Sequence, residues 1–457
     1  MQILTNLPTF YCVVLRCLAA TSAAIVLFFL SGLSPFGQPP PASRKPNIVL
    51  ILADDMGYGD IGSNGVKDIR TPHLDRLARE GVRLTACYSN GPVCTPTRAA
   101  LMTGRWQQRV GLEWAITPAD REAGLPVSET SLARMLKDAG YRTAQFGKWH
   151  LGAKPEFNPI GHGFDEFFGI LGGNVDMNSH RNRLGTPDLY EKTAPVEQAG
   201  YLTDLITDRA IRYIEQNGPQ SPFFLYVPYN AVHWPFQPPG NPADVRTQET
   251  WLSGTRNDYA RMLERMDEGI GRILQALDRG RLAKDTLVIF TNDNGGERLS
   301  RNAPFFHHKE TIWEGGIRVP CLLRWPGQLP AGKTSEQVAI TMDLTATILA
   351  ATGTQPPVGR TLDGINLLPI LTGRQPITPR TLFWRIDRQN RKQKAVRQGD
   401  WKYLWDGGIE MLFDLKRDPG EHNNLSYQQQ QVVKEARARL EQWEKEMDRA
   451  APGFRLK

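Results

Sequence analysis

Short continuous runs of apolar residues alternate along this chain with longer segments in which apolar residues recur every three or four positions. The runs 47–52, 222–227 and 286–290 have the length and composition of strands that are buried on both faces of a parallel sheet. The segments 202–216 and 259–277 have the periodicity of amphipathic helices. Because strands alternate with helices, we predict an α/β fold with a mostly parallel sheet flanked by helices.

A different pattern follows residue 355. Short alternating segments between 381 and 415, separated by Gly-containing turns, predict a small antiparallel sheet. The charged segment 427–447 has helical character, and we expect it to pack on that sheet. A chain of 457 residues is long enough for a large core and a second module. We therefore predict one large domain over 46–355 and a smaller C-terminal α+β subdomain over 356–457.

The N-terminal residues 1–37 differ in composition from the rest. They contain one basic residue, Arg16, and no acidic residue, and the run 18–33 is almost entirely apolar. These features predict a signal peptide, with an uncleaved membrane anchor as the alternative, and the Pro-rich residues 38–45 are typical of a linker. The protein is therefore expected to be exported to the periplasm or the medium, or to remain anchored by this segment.

We expect the first roughly 35–40 residues to be absent from the mature protein, because the basic residue, the apolar run and the Pro-rich linker together fit a leader. Measurement of the intact mass of protein secreted by a suitable host checks this. Recovery of the full-length chain from the membrane fraction would identify the segment as an anchor instead.

The net charge and the cysteine content limit the classes of function that this chain can have. The net charge is +7, but Lys and Arg are scattered, which argues against a dedicated nucleic-acid surface and is compatible with an anionic substrate. Of the five cysteines, Cys12 and Cys17 would leave with the leader. Cys87 and Cys321 lie in apolar segments and are expected to be buried free thiols rather than a disulfide.

Polar residues that could bind a metal ion or take part in catalysis follow several of the predicted strands. In open α/β sheets, ligands bind beyond the carboxyl ends of the strands. Each residue taken alone could be a turn former or an ordinary surface histidine. Their common placement indicates one site, and the residues are Asp54, Asp55, Cys94, Lys148, His150, His233, Asp293 and Asn294.

A metal ion is predicted at this site. Asp54, Asp55, Asp293 and Asn294 offer only oxygen ligands, three of them charged. Hard divalent cations prefer such ligands, so calcium is expected, magnesium less so, and zinc or copper not at all.

The segment 94–104 predicts a helix with a thiol at its beginning. Pro96 suits the first turn and Gly104 suits the end. Cys94 would therefore lie beside the partial positive charge and the free N–H groups of a helix N-terminus. Arg98 falls on the same face, four residues later, and adds a cation. This arrangement predicts an anion site, although a buried cysteine at an ordinary helix is the alternative.

Residues 94–98, Cys-Thr-Pro-Thr-Arg, resemble the signature of type I sulfatases, in which this cysteine is oxidised to formylglycine (3-oxoalanine). Thr97 stands where most members of that family carry serine. His307 and His308 precede Lys309 where members often have glycines. The other segments that resemble the family lie in family order between about residues 46 and 330, and they are 54–60, 147–152, His233, 291–296, Lys309 and 313–320.

The resemblance implies an alkaline-phosphatase-like fold, a sulfatase catalytic domain over 46–355, and hydrolysis of aryl or carbohydrate sulfate monoesters. It also implies a formylglycine-generating or equivalent maturation enzyme as a partner. A phosphomonoester or phosphonate monoester hydrolase of the same superfamily is the alternative. A non-catalytic glycan-binding relative is disfavoured because every catalytic position is filled. The polar stretch 172–183 is either a solvated loop or a source of sugar subsites.

The mechanism implied by the resemblance uses formylglycine made from Cys94 as a metal-bound nucleophile towards sulfur. The cationic side chains would hold the sulfate oxygens, His233 would protonate the leaving alcohol with Lys309, and His150 would accept the proton that permits sulfate release. The full set of implied catalytic positions is Cys94, Arg98, Lys148, His150, His233 and Lys309. The implied metal ligands are Asp54, Asp55, Cys94, Asp293 and Asn294.

Overall fold

The fold is built around a ten-stranded sheet, and a separate four-stranded sheet follows it in the chain. This computed structural model describes residues 45–217, 221–388, 390–452 and 455–456. The predicted leader 1–37 and nearly all of the predicted linker lie outside the described residues. Within the described part of the chain, no helix combines the length and apolar character needed to cross a bilayer.

Strands and helices are distributed along the whole of the described chain. The strands are β1 (Asn47–Ala53), β2 (Val82–Leu84), β3 (Cys87–Tyr88), β4 (Arg142–Phe146), β5 (Glu166–Gly169), β6 (Tyr190–Glu191), β7 (Ala194–Pro195), β8 (Phe223–Pro228), β9 (Thr286–Asn292), β10 (Cys321–Arg324), β11 (Lys333–Ser335), β12 (Ala339–Ile340), β13 (Thr381–Arg388), β14 (Arg391–Gln398), β15 (Trp401–Asp406) and β16 (Ile409–Asp414). The α-helices are α1 (Pro72–Glu80), α2 (Cys94–Thr103), α3 (Leu132–Asp138), α4 (Leu202–Asn217), α5 (Arg256–Arg279), α6 (Glu314–Ile317), α7 (Thr341–Thr352), α8 (Leu368–Leu371) and α9 (Gln430–Ala450).

The large sheet has the strand order β11-β2-β10-β9-β1-β8-β4-β5-β6-β7. Its central strands β9, β1, β8, β4 and β5 are parallel to one another. Antiparallel pairings occur towards the two edges, where β10 meets β9 and β2, and β6 meets β5 and β7. The predicted mostly parallel sheet is therefore confirmed, and its parallel part brings the carboxyl ends of β1, β4, β8 and β9 to one edge.

Both faces of this sheet are covered by helices. Along β1, Val49 and Ile51 pack into the apolar layer formed with α1, α4 and α5. Leu50 and Leu52 point the other way, into the layer formed with α2, α3 and α7. Successive side chains of a strand point to opposite faces, so a strand covered on both sides must be apolar at every position. This explains the continuous run in the sequence.

The strand predicted around residue 86 is interrupted. β2 belongs to the large sheet, whereas β3 pairs with β12 in a small two-stranded sheet and forms an isolated antiparallel bridge between Tyr88 and Arg318. The break occurs at Thr85, whose carbonyl oxygen accepts two hydrogen bonds from the guanidinium of Arg318. A carbonyl engaged by a side chain does not continue a strand ladder. Cys94 thus follows β3 of the small sheet rather than a strand of the large one.

The C-terminal part forms the expected antiparallel sheet, β13-β14-β15-β16, with α9 packed on it. Its apolar layer includes Trp384, Leu404 and Trp443, and it continues into Tyr88 and Ile340 of the preceding chain. The sheet is therefore packed tightly on the larger part of the molecule. The boundary between residues 355 and 356 stays a prediction.

A buried cluster of charges joins the two parts. The Lys402 ammonium group lies 3.0 Å from Glu314 Oε1 and 2.8 Å from Glu421 Oε1, and it donates to the Ile312 carbonyl oxygen at 2.8 Å. Burial opposes ionisation of Glu314, but Lys402 and neighbouring arginines outweigh burial and lower its pKa to about 2. Burial raises the pKa of Glu421 to about 7, although Lys402 acts in the opposite direction. Lys402 is thus the central counter-charge between the two carboxyl groups.

We expect Lys402→Met to lower the free energy of unfolding by about 3–5 kcal/mol, because it leaves two carboxyl groups buried beside each other without their shared cation. The matched control is Lys392→Met on β14, whose side chain is 59% exposed and pairs with the half-exposed Asp387. That control should change stability by no more than about 0.5 kcal/mol. Chemical denaturation monitored by fluorescence gives both values, and equal losses in the two variants would contradict the role of Lys402.

Candidate active site

The thiol at the start of α2 forms the centre of the site. α2 begins at Cys94, contains Pro96 in its first turn, and is buried along its whole length. Gly104 ends it in the left-handed conformation, with φ 68°, and its N–H donates to the Ala100 carbonyl oxygen at 2.8 Å. The predicted helix and its two ends are therefore confirmed. The free N–H groups of the first turn surround position 94.

Two charged groups contact the thiol. Cys94 Sγ lies 3.5 Å from Asp54 Oδ1 and 3.3 Å from Lys148 Nζ, and the residue is 2% exposed. Burial raises the pKa of the Cys94 thiol far above its ordinary value, although Lys148 opposes this shift. The unmodified side chain is therefore a neutral thiol, which is a weaker nucleophile than a thiolate.

Arg98 and Lys148 each bind one carboxylate. Lys148 Nζ donates to Asp54 Oδ2 at 2.6 Å, and the Nε and Nη2 groups of Arg98 donate to Asp293 Oδ2 at 3.1 and 2.8 Å. Burial, then the neighbouring Asp293, raises the pKa of Asp54 to about 7, although Lys148 opposes the shift. Burial opposes ionisation of Asp293 too, but Arg98 and Lys148 outweigh it and hold its pKa below the ordinary value. The site thus favours the ionised form of Asp293 more strongly than that of Asp54.

Asp55, Lys309 and His233 form the opposite side of the site. Lys309 Nζ donates to Asp55 Oδ2 at 2.6 Å and lies 3.2 Å from His233 Nε2. His233 Nδ1 lies 2.7 Å from the Trp234 carbonyl oxygen, so Nδ1 must carry the proton. Nε2 is then the acceptor that faces Lys309. Burial, followed by Lys309, lowers the pKa of His233 well below its ordinary value, so the imidazole is neutral.

His150 has the opposite tautomer. Its Nε2 lies 2.8 Å from the Ile116 carbonyl oxygen and must be the protonated nitrogen. Its Nδ1 is buried and has no partner among the described residues. The Thr95 hydroxyl fixes this geometry, since it donates to the His150 carbonyl oxygen at 3.0 Å and accepts from the Ile116 N–H at 3.1 Å. His150 therefore presents a basic nitrogen to the site.

The polar stretch 172–183 also borders the site. A Cβ atom added at Gly173 would lie 3.0 Å from the His150 ring, so a larger residue would fit only if the ring shifted. The carboxylate of Asp188 holds the segment by accepting the N–H groups of Leu171 and Gly172 at 3.0 and 2.8 Å. Gly173, near the start of the stretch, is therefore packed beside the His150 ring. The sequence singled out the stretch 172–183 but not the contact of Gly173 with His150, and it gave no signal for Ile116, because both residues contribute through the position of their backbone.

The donor atoms fit a divalent cation. One ligand atom from each of Asp54, Asp55, Cys94 and His233 lies within 4.8 Å of the others. Asn294 donates through Nδ2 to Asp55 Oδ1 at 2.8 Å, while its buried Oδ1 has no partner in the described chain. Carboxylate and amide oxygens of this kind suit a hard cation. Asp293, also predicted as a ligand, uses Oδ2 for Arg98 and accepts the Asp55 N–H through Oδ1 at 3.4 Å.

All the predicted catalytic and metal-binding positions are therefore brought to one place. Three carboxylates, three cations, two imidazoles of fixed tautomer and a modifiable thiol surround a buried point. Such a site defines a hydrolase that acts on an anionic ester, with the charge of the ester group held by the cations.

Comparison with known proteins agrees with this class. The chain matches the family described as Sulfatase over residues 46–354, which is more than half of its length, and the family described as N-sulphoglucosamine sulphohydrolase, C-terminal, over residues 304–446. It is 35% identical to N-acetylgalactosamine-6-sulfatase of Mus musculus, with 90% of this chain and 87% of the relative covered. It is 34% identical to arylsulfatase A of Bos taurus, with 88% of each chain covered.

Among solved structures, the chain is similar to Ps i-CgsB in complex with k-i-k-neocarrahexaose, with a TM-score of 0.80, 30% identity, and coverage of 88% of this chain and 93% of that chain. This chain therefore belongs to the sulfatase family of the alkaline-phosphatase superfamily. It is a sulfuric ester hydrolase, as the sequence motifs predicted.

Proposed function

We propose that this protein hydrolyses sulfate monoesters of carbohydrates, and that it does so with a formylglycine made from Cys94 and a bound calcium ion. The observation that carries the proposal is the placement of Cys94 at the N-terminus of the buried helix α2, in contact with Asp54 and Lys148. The carbohydrate class is supported by the relatives, one of which is an N-acetylgalactosamine-6-sulfatase and another a complex with k-i-k-neocarrahexaose.

The proposed calcium ligands are the side-chain oxygens of Asp54, Asp55, Asp293 and Asn294, together with the modified side chain at position 94. The Oδ1 of Asn294, which has no partner among the described residues, supports this assignment. When both groups are in place, formylglycine supplies an oxygen nucleophile and calcium supplies positive charge for the anionic oxygens. We further propose that the protein is exported and is matured by a formylglycine-generating or equivalent enzyme.

The cations of the chain bind the sulfate group in this proposal. Lys148 Nζ lies 3.3 Å from the side-chain atom of position 94, and Lys309 Nζ lies on the other side of the site, between Asp55 and His233. Arg98 contributes a third, permanently charged group, since Asp293 raises its pKa against the effect of burial. Their placement before the reaction avoids reorganisation as charge shifts from sulfur towards the leaving oxygen.

His233 and His150 transfer protons at different stages of the proposed reaction. Lys309 faces the acceptor Nε2 of His233, so the pair can deliver a proton to the leaving alcohol. His150 Nδ1, buried and unpartnered among the described residues, is the base that accepts the proton at the stage of sulfate release. Burial lowers the pKa of both rings and keeps them neutral, so the proton delivered to the alcohol comes from the Lys309 ammonium group beside His233, and His150 is free to accept one.

The proposal is tested by comparing turnover of paired aryl sulfate and aryl phosphate esters, followed by a panel of sulfated mono- and oligosaccharides. We expect kcat/KM for the aryl sulfate to exceed that for the phosphate by at least about 100-fold, and at least one sugar sulfate to be a better substrate than the aryl sulfate. A preference for the phosphate or for a phosphonate monoester would favour the alternative hydrolase. Activity on aryl sulfates alone would contradict the carbohydrate class.

A further inference from the structure

A row of rings lies directly before Lys309. The rings of Phe306, His307, His308 and Trp313, which we call the ring row, form a connected series of contacts. Ring centroids are 5.2 Å apart for Phe306 and His307, 4.9 Å for His307 and His308, and 5.1 Å for Phe306 and Trp313. His307 is stacked on Trp313 at an interplanar angle of 22°. Phe306 is 46% exposed, and both histidines are exposed. Phe306 and the two histidines therefore form a solvent-facing aromatic surface, backed by the partly buried Trp313.

The backbone beneath the ring row is firmly held. The Phe306 carbonyl oxygen accepts the Gly315 N–H at 2.8 Å, and the His307 carbonyl oxygen accepts Asn302 Nδ2 at 3.2 Å. His307 has a φ of 70°, a conformation that is unfavourable for residues with a side chain. Strained backbone of this kind persists where the surroundings impose it, and it is concentrated at functional positions. The row is thus a preformed surface.

The C-terminal sheet supports the same surface. The Trp313 ring contacts Phe413 of β16 at 5.6 Å, and its Nε1 donates to Asp406 Oδ2 at 3.2 Å. Arg391, at the start of β14, donates to the Glu310 carbonyl oxygen at 2.7 Å, lies 3.5 Å from the Glu310 carboxylate, and has a side chain that is 36% exposed. A cation therefore accompanies the exposed rings. His308, at one end of the ring row, directly precedes Lys309, whose ammonium group lies in the candidate active site.

We infer that the ring row is a subsite for the pyranose residue linked to the sulfated sugar, so that the natural substrate is an oligosaccharide or polysaccharide rather than a monosaccharide. This inference rests on the proposed function. The C–H face of a pyranose packs on exposed rings and removes apolar surface from water. Arg391 would pair with an anionic substituent on the same residue in place of its exposed 3.5 Å contact with the Glu310 carboxylate. Rings that served only to fill the core would be buried, whereas Phe306 is nearly half exposed.

The experiment compares kcat/KM for a sulfated tetrasaccharide with kcat/KM for the monosaccharide that carries the same sulfate, and uses 4-methylumbelliferyl sulfate as a small reference. The variants are Phe306→Ser, which removes an exposed side chain, and His307→Asn, since asparagine tolerates a positive φ. The matched control is Tyr427→Ala, an aromatic side chain that is 83% exposed outside the row. Each ring-row variant should lower the tetrasaccharide-to-reference ratio by about three- to tenfold, and the control should leave it unchanged.

The outcomes separate this inference from the proposed function. If the wild-type protein hydrolyses no sugar sulfate, the proposed function fails and the subsite fails with it. If sugar sulfates are hydrolysed but the tetrasaccharide is no better than the monosaccharide, only the subsite is wrong. The same holds if both ring-row variants keep the wild-type ratio. A lower ratio in both variants with an unchanged control supports the subsite.

Discussion

Cys94→Ala is expected to reduce turnover of sulfate esters by roughly 10⁴-fold or more, because it removes the side chain from which the nucleophile is made. The fold should persist. Alanine at the first position of α2 keeps the helix, and the Asp54–Lys148 ion pair that contacts the thiol does not require sulfur. Steady-state kinetics with an aryl sulfate, together with circular dichroism, check the two statements.

The chemical state of position 94 can be read from a single tryptic peptide. Cleavage after Arg83 and Arg98 places Cys87 and Cys94 in the same fragment, 84–98. We expect active protein to give a fragment with one alkylated thiol, at Cys87, and one aldehyde that reacts with hydrazides, at position 94. Cys87 is an internal control because it is buried in the core, outside the site. Full multiple turnover with both thiols intact would overturn the proposed mechanism.

Cys94→Ser tests whether position 94 must be an aldehyde for the nucleophile to be regenerated after each turnover. In a host that does not oxidise serine, this variant is expected to release at most one equivalent of alcohol and then to stop, since a serine ester offers no second oxygen for elimination. Cys321→Ala removes another buried thiol and should keep both activity and the aldehyde. Sustained turnover by Cys94→Ser would contradict the need for the aldehyde.

Calcium is expected to raise the melting temperature of the wild-type protein by several degrees over the value in chelator. A ligand that binds only the native state, and is present at about 100 times its Kd, raises the free energy of unfolding by about 2.7 kcal/mol. Asp54→Asn should abolish this gain and reduce turnover by at least roughly 100-fold, because it removes a charged ligand and the partner of Lys148. Thermal denaturation with and without calcium measures the gain.

A buried carboxyl group outside the site is the control for this measurement. Asp267 accepts the N–H groups of His73 and Leu74 at the start of α1, and its pKa is raised to about 7 by burial. Asp267→Asn should lower stability equally with and without calcium, and so keep the calcium gain. Equal melting temperatures of the wild-type protein in calcium and in chelator would contradict a calcium site.

Asp293 requires a separate expectation. If Asp293 acted only as a calcium ligand, its replacement by alanine would lower thermal stability only when calcium is present. The structure places its Oδ2 against two nitrogens of Arg98, whose side chain is 1% exposed. Asp293→Ala is therefore expected to destabilise the protein in chelator as well, since it leaves a buried guanidinium without its carboxylate.

Local features of the site could be predicted from the sequence because they depend on neighbouring residues. The continuous apolar run before Asp54 specifies a strand buried on both faces, and Pro96 and Gly104 specify where α2 turns and ends. Polar residues directly after such strands must lie at one sheet edge if the strands are parallel. The fold class, the candidate residues and the family resemblance followed from these local signals.

Pairings between distant residues were decided only by the tertiary structure. Arg98 bonds Asp293, 195 positions away, and Lys309 bonds Asp55, 254 positions away. Local sequence does not specify strand order, and strand order determines which acid meets which base. The tautomers of His150 and His233 depend on the carbonyl groups of Ile116 and Trp234, which any side chain at those positions would provide. The sequence by itself thus determined which groups are available, whereas packing determined which partner each one has and which nitrogen is free to react.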